Sequence, residues 1–289
     1  MAVTYEMVRD AASQLYGWAL KKVPDDTKDA LARALENESN EAARRTLRIM
    51  LQSARAAEST DRLVCSDAGV PVYFVEIGTA VRMEGDIKRA ISDGFDHLVE
   101  TIHPPILKHV TNPLTLERGY KGKDMPLITW SVKDGVDYME MTCSPKALGT
   151  GRWAALEIFS YPNLEQIESY IMDVVMKAGS QHCPPVIIGV GIGGSFDVCA
   201  KMSKMATLRP MGQTNPEPIL AAMEERLTKA VNALGYGPMG TGGDTTALAV
   251  HIDYASGHGF TPVAVSFNCW INRRSRARLH NSGEIERLE

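Results

Sequence analysis

Three of the five cysteines stand beside runs of residues that read as strands. Cys65 lies in Val64-Cys65-Ser66-Asp67-Ala68-Gly69, just before an extended run at 72–77. Cys183 lies in His182-Cys183-Pro184-Pro185, just before the apolar run at 186–190, and Cys269 follows the run at 262–267 after Asn268. Folding can gather strand ends, so three thiols placed in this way are candidate metal ligands or nucleophiles. For any one of them an inert buried thiol is the plain alternative. No CxxC pair occurs, so spacing gives no support to a zinc ribbon or finger. The scatter and the odd number argue against a disulfide framework.

Two glycine-rich segments accompany the thiols. Gly189, Gly191 and Gly194 match GxGxxG in a stretch that reads as strand, glycine turn and helix. A dinucleotide fold also requires an acidic residue roughly 20 positions later, and residues 207–211 offer Arg209 and Pro210 instead. What survives is a set of backbone N–H groups at a helix start, which suits a carboxylate or phosphate. The second segment, at 237–246, packs four glycines into seven residues. It reads either as a tight connection or as a place where backbone approaches a ligand or neighbouring subunit.

These residues need a scaffold. Residues 1–60 show apolar positions at helical spacing (Met7, Ala11, Leu15, Trp18, then Leu47, Met50, Leu51) and predict a helical N-terminal layer. Extended runs follow at 72–77, 127–132, 138–143, 186–190, 247–252 and 262–267. Helical stretches at 87–100, 164–178, 196–206 and 218–234 alternate with them. The class is α+β, with mixed sheets flanked by helices, and residues 1–289 read as a single domain. Residues 101–124 are poor in pattern and read as a long loop, of a length that is often functional inside a compact domain. The 289 residues carry a formal net charge of -4 and 44% hydrophobic residues. That balance argues against nucleic acid as a partner, and the lack of a long apolar run argues against a membrane span and for a cytoplasmic protein. The basic run from Arg273 to Arg278 reads as a solvated face or as a contact with acidic groups of another subunit.

The cysteine motifs resemble the alpha subunit of class I fumarases and L(+)-tartrate dehydratase. In that family the first cysteine lies in CQDTG, the second in CPP before a GVGIGG turn, and the third after a strand and before an arginine. Here Cys65-Ser66-Asp67-Ala68-Gly69, Cys183-Pro184-Pro185 with Gly189 to Gly194, and Cys269 with Arg273 and Arg274 take those places. The 237–248 segment resembles GPQGLGGKTTAL, and the cysteine spacing is similar to the tartrate dehydratase branch.

The resemblance implies a 4Fe–4S cluster held by Cys65, Cys183 and Cys269, with one iron left open as a Lewis acid. Cys143 and Cys199 remain ordinary thiols. It implies a hydro-lyase acting on a tartrate- or fumarate-like hydroxy acid, with Asp67 and His258 catalytic. Ser66, Lys146, Gly149, Arg152, Gly193 and Gly194 are the implied substrate-binding residues, with Ser195 a weaker candidate. It further implies a separate beta subunit and alpha–alpha association in a heterotetramer. Ser66 replaces the family's glutamine, and Ile102-His103-Pro104-Pro105-Ile106 replaces an arginine-bearing LRxS-like segment. Neither His nor Pro reproduces the bidentate fork of arginine on a carboxylate, so substrate recognition differs from that of fumarases. A non-catalytic iron–sulfur redox or sensing protein is the competing reading.

Overall fold

The computed structural model describes residues 1–289, with the backbone alone described at Leu148. The elements in chain order are α1 (Tyr5–Lys21), α2 (Asp25–Asn37), α3 (Glu41–Ser59), β1 (Val72–Gly78), α4 (Ile87–Thr101), β2 (Val110–Thr111), β3 (Arg118–Gly119), β4 (Leu127–Lys133) and β5 (Tyr138–Cys143). There follow α5 (Leu148–Arg152), β6 (Ala155–Ser160), α6 (Leu164–Ala178), β7 (Val186–Gly193), α7 (Phe196–Ala206), α8 (Pro218–Ala233), β8 (Ala247–Ala255), β9 (Phe260–Asn268), β10 (Ser275–His280) and β11 (Ile285–Arg287). The helical start and the mixed α+β class expected from sequence are both present. The chain divides into two compact units, one of residues 1–24, 55–147 and 273–289, the other of residues 25–54 and 148–272.

The first unit is built on a five-stranded sheet in the order β11-β10-β5-β1-β4, with β1 and β4 parallel and the other pairs antiparallel. Thr4 caps α1 by accepting from the Met7 N–H. The buried positions of α1, among them Val8, Ala11, Ala12 and Leu15, recur at three- and four-residue steps, so a single stripe meets the core. That core joins them to Tyr73, Val75, Phe95, Met139 and Met141.

The second unit holds a four-stranded sheet in the order β6-β9-β7-β8, with β7 and β8 parallel. Its core combines β7, β8 and β9 with Ile167, Ile171 and Val175 of α6 and Met223, Leu227 and Val231 of α8. Asn163 and Gln166 form a capping box at the start of α6.

Three local expectations are corrected. Gly189 and Gly191 are not part of a turn but lie inside β7, and the chain turns only at Gly193 and Gly194. A Cβ on Gly189 would sit 2.1 Å from the Ser203 carbonyl oxygen, and one on Gly191 2.3 Å from that of Cys199. Glycine is there because α7 packs directly on the strand. Residues 101–124 are not structureless, since β2 and β3 pair within them. The basic run is no solvated face, because Arg273 and Arg274 are buried and the rest is β10, with alternate side chains inside. Its cations pair with this chain's own acids, Arg274 with Glu289 at 2.7 Å and Arg278 with Glu140 at 2.9 Å.

Candidate active site

In the first unit, Cys65 and Asp67 sit on the segment between α3 and β1, which partners from distant parts of the chain hold in place. Buried Tyr16 of α1 has its phenol near the carbonyls of Ala68 (3.2 Å) and Gly69 (3.0 Å). Burial raises the Tyr16 pKa, so the phenol stays a neutral donor. Arg273, 5% exposed, donates to the Asp67 carbonyl, and its own carbonyl accepts from the Ser144 hydroxyl at 3.0 Å. Gly69 sits at φ +72, where a Cβ would come 2.7 Å from the Lys146 backbone. Only glycine lets the segment run so close to Lys146, with which Val70 exchanges both backbone hydrogen bonds.

The Asp67 side chain bends back to accept from the Gly69 N–H at 2.9 Å, and the Nε2 of His109 stands 3.4 Å from the same oxygen, Oδ1. Ser66 is exposed beside it. Asp67, Cys65 and Lys146 thus share one region. His109 is the member that sequence reasoning missed, and its only signal was its position within the 101–124 segment.

In the second unit, Cys183 and Cys269 occupy neighbouring turns at one end of the sheet. Ile187 pairs with Asn268 across β7 and β9, and the Trp270 N–H donates to the Cys183 carbonyl at 3.2 Å. Cys183 itself is held at φ +57. For a residue with a Cβ this costs about 1–2 kcal/mol and persists only where the surroundings impose it. The Cys269 turn is clamped through Asn268, Asn272 and Thr27, whose side chains form a hydrogen-bonded chain. His182, beside Cys183, is fully buried, and neither ring nitrogen has a hydrogen-bond partner. Burial lowers its pKa to about 4.

The five cysteines fall into two classes. Cys65, Cys183 and Cys269 are part-exposed, whereas Cys143 and Cys199 are buried. Burial raises the Cys143 thiol well above its ordinary pKa and pushes Cys199 up to about 11.

The remaining candidates lie elsewhere in the second unit. His258 is on the exposed turn between β8 and β9, where it stacks on Phe260 and accepts from the Phe260 N–H at Nδ1. This turn meets the Gly193–Gly194 turn, since a Cβ on Gly257 would lie 2.7 Å from the Gly194 carbonyl oxygen. The Gly194 N–H already donates to the Ala255 carbonyl. At the start of α7, Asp197 accepts from Ser195 and from backbone N–H groups, which lowers its pKa. An acid of the chain itself therefore occupies that anion-favouring end.

The His258 and glycine turns are also at the opposite end of the sheet from Cys183 and Cys269. β7 has eight residues and β9 nine, so at about 3.3 Å per residue roughly 23–26 Å separates the two ends. Arg152 is exposed, 5.1 Å above the Trp153 ring, and lines a recess of about 400 Å³ with Tyr170 and Lys177; Gly149 is in the same short helix, α5. The second glycine segment closes on this chain's own Glu38, whose carboxylate accepts from the Asp244 N–H at 2.9 and 3.0 Å. Among the described residues, neither unit by itself gathers three His, Cys, Asp or Glu side chains into a metal-binding group.

Residues 9–278 match the family described as "Fumarate hydratase (Fumerase)". The chain belongs to that family. Among relatives of this fumerase-family chain, a Methanocaldococcus jannaschii protein named "Putative L(+)-tartrate dehydratase subunit alpha" is 33% identical over 279 residues, covering 94% of this chain and 97% of its own. The L(+)-tartrate dehydratase subunit alpha of Escherichia coli K12 is 28% identical over 273 residues, covering 92% of this chain and 89% of its own. The fumerase-family chain is an enzyme of the hydro-lyase class, and the family is one of iron–sulfur hydro-lyases. No helix among the described residues is long and apolar enough to cross a membrane.

Proposed function

We propose that this chain is the alpha subunit of a two-subunit dehydratase for a tartrate-like hydroxydicarboxylate, and that Cys65, Cys183 and Cys269 hold its 4Fe–4S cluster. The contrast among the thiols carries the reading. The three in the family motifs are part-exposed, and two of these occupy turns joined by a backbone hydrogen bond, while the other two cysteines are buried. Thiolates are the donors that iron–sulfur clusters take. The unpartnered nitrogens of His182 beside Cys183 also fit a polar group at that corner. The non-catalytic alternative is set aside by membership in a family of hydro-lyases.

When bound through three cysteines, the cluster supplies one iron with no protein ligand, a Lewis acid for the hydroxyl that leaves. The chain's own residues do the rest. Loss of water requires a proton to leave carbon and one to reach the departing oxygen, and the Asp67 carboxylate holds or moves one of these. Lys146, alongside the Asp67 segment, supplies positive charge for a substrate carboxylate, with Ser66 next to it as a hydroxyl donor. A dicarboxylate needs both ends neutralised, and the second clamp comes from the beta subunit, with Arg152 and Gly149 facing substrate or partner.

His258, Gly193 and Gly194 stand too far along the sheet to serve the same chain's Cys183 and Cys269. They reach a cluster only from a second copy, which gives alpha–alpha association a chemical reason.

The test is anaerobic purification of the chain with and without its partner, followed by assays on tartrate, malate, fumarate and mesaconate. Dehydration of tartrate by the assembly, lost in air and restored by ferrous iron and reductant, is the expected result. Full activity of the chelator-treated, iron-free protein would overturn the reading. Co-expression of Cys269→Ser with His258→Ala chains tests the shared site: random pairing into two-fold dimers restores roughly a quarter of wild-type activity if His258 acts across copies. It restores none if His258 acts within its own chain.

A further inference from the structure

The 102–125 segment is built to hold one side chain. Ile102, Ile106 and Val110 are buried in the first unit. Tyr120 donates its hydroxyl to the Ile106 carbonyl at 3.0 Å, and Lys121 pairs with Asp96 of α4 at 2.6 Å. Asn112 closes the hairpin tip by accepting from the Leu114 N–H at 2.9 Å, while its own N–H donates to the Glu117 carbonyl. His109 stands directly before β2 in this framework with its side chain 15% exposed. Its Nε2 is buried, makes no hydrogen bond, and lies 3.4 Å from Oδ1 of Asp67, a carboxylate itself 27% exposed.

A buried ring nitrogen without a partner is uncommon and calls for a reason. Here an acceptor lies about 0.5 Å beyond ordinary N–H···O length, and hydrogen bonds in active sites are often long until substrate binds and then tighten. We infer that His109 is a positioning residue for Asp67, donating from Nε2 to Oδ1 when the site closes and so fixing the rotation of the carboxylate. Oδ1 already accepts from the Gly69 N–H. A donor from His109 on the same oxygen adds to that bond in fixing how the carboxylate is turned toward substrate. This role rests on the reading of Asp67 as the group that handles the proton.

Two variants and two kinds of readout test it. In the assembled, cluster-loaded enzyme, His109→Ala should lower kcat by about 10- to 100-fold, the range for residues that orient a reacting group, with KM changed by less than about threefold. His109→Gln keeps an N–H donor and should recover most of the loss. Iron content and melting temperature should match the wild type in both. In an Asp67→Asn background, His109→Ala should cost less than about twofold further, because the proton-carrying carboxylate that it orients is already gone. Multiplied losses in the double variant would overturn the inference, as would an undiminished kcat in His109→Ala.

Independently of activity, ¹⁵N spectra of the histidine rings in the cluster-free chain should show the His109 Nε2 resonance moving on Asp67→Asn. An unmoved resonance would refute the pairing. An assembly without any hydro-lyase activity would sink the catalytic reading of Asp67 and this role with it, while the ring-nitrogen measurement would still decide whether the two side chains interact.

Discussion

The Cys65 segment and the Cys183–Cys269 corner are held by different means. In the corner, the two turns close adjacent strands and are fixed in register by backbone bonds from Trp270 to Cys183 and from Met239 to Pro184, with the Asn268–Asn272–Thr27 side-chain bonds as an added clamp. The Cys65 segment lies between a helix and a strand, outside any sheet ladder apart from its bridge to Lys146. Side chains from remote positions hold it, namely Tyr16 and Arg273, and His109 stands 3.4 Å from the Asp67 carboxylate. A ladder tolerates the loss of any one side chain because its bonds belong to the backbone. A segment tethered by side chains is tuned, and broken, one residue at a time.

The largest difference is expected in chemistry. Asp67→Asn keeps the size of the side chain and an acceptor for the Gly69 N–H but cannot carry a proton. It should lower kcat by about 10²- to 10⁴-fold while iron and sulfide content stay at wild-type levels. A variant that loses its iron as well would show that the tethered segment depends on this carboxylate for its structure and would erase the distinction from the corner.

Acid should weaken the corner. The folded His182 pKa of about 4 lies below the ordinary value of 6.5, so the fold binds the neutral ring more tightly than the charged one. That stabilisation is whole above about pH 6.5 and is lost as pH falls toward 4, amounting to at most about 3 kcal/mol. Denaturant titrations of the cluster-free chain between pH 7 and pH 4 should therefore show a smaller decline in His182→Asn than in the wild type. Parallel declines would show that the ring is not held neutral.

The smallest effect concerns the tether itself. Arg273→Met removes the donor to the Asp67 carbonyl and should cost about 1–3 kcal/mol in stability, seen as a lowered urea midpoint. The Cys65 thiol should at the same time alkylate faster, with Cys183 and Cys269 unchanged. Equal acceleration at all three thiols would mean that the loss is global rather than local.

The same contrast explains what could be read in the sequence. The strand at 138–143 and the helices at 164–178 and 196–206 were legible from local periodicity, reinforced at 164–178 by the Asn163–Gln166 capping box. The corner was legible as a motif, since Cys-Pro-Pro and the strand that follows it are contiguous. His109 and Tyr16 were not legible, because they lie 42 positions after and 51 positions before Asp67 and meet its segment only once the chain has folded back. β10 was hidden for a different reason. Its alternating arginines read as a charge run, and only the acids that meet them, Glu140 and Glu289, show that Arg274, Arg276 and Arg278 are paired within the chain. The glycines of β7 misled because close packing of a helix on a strand and cradling of a phosphate both call for residues without a Cβ.

The most direct test is iron and acid-labile sulfide per chain in anaerobically purified wild type and in the five single Cys→Ser variants. Loss of the cluster in Cys65→Ser, Cys183→Ser and Cys269→Ser, with near-complete retention in Cys143→Ser and Cys199→Ser, is the expected result. A full cluster in Cys269→Ser, or its loss in Cys143→Ser with the fold intact, would contradict the assignment.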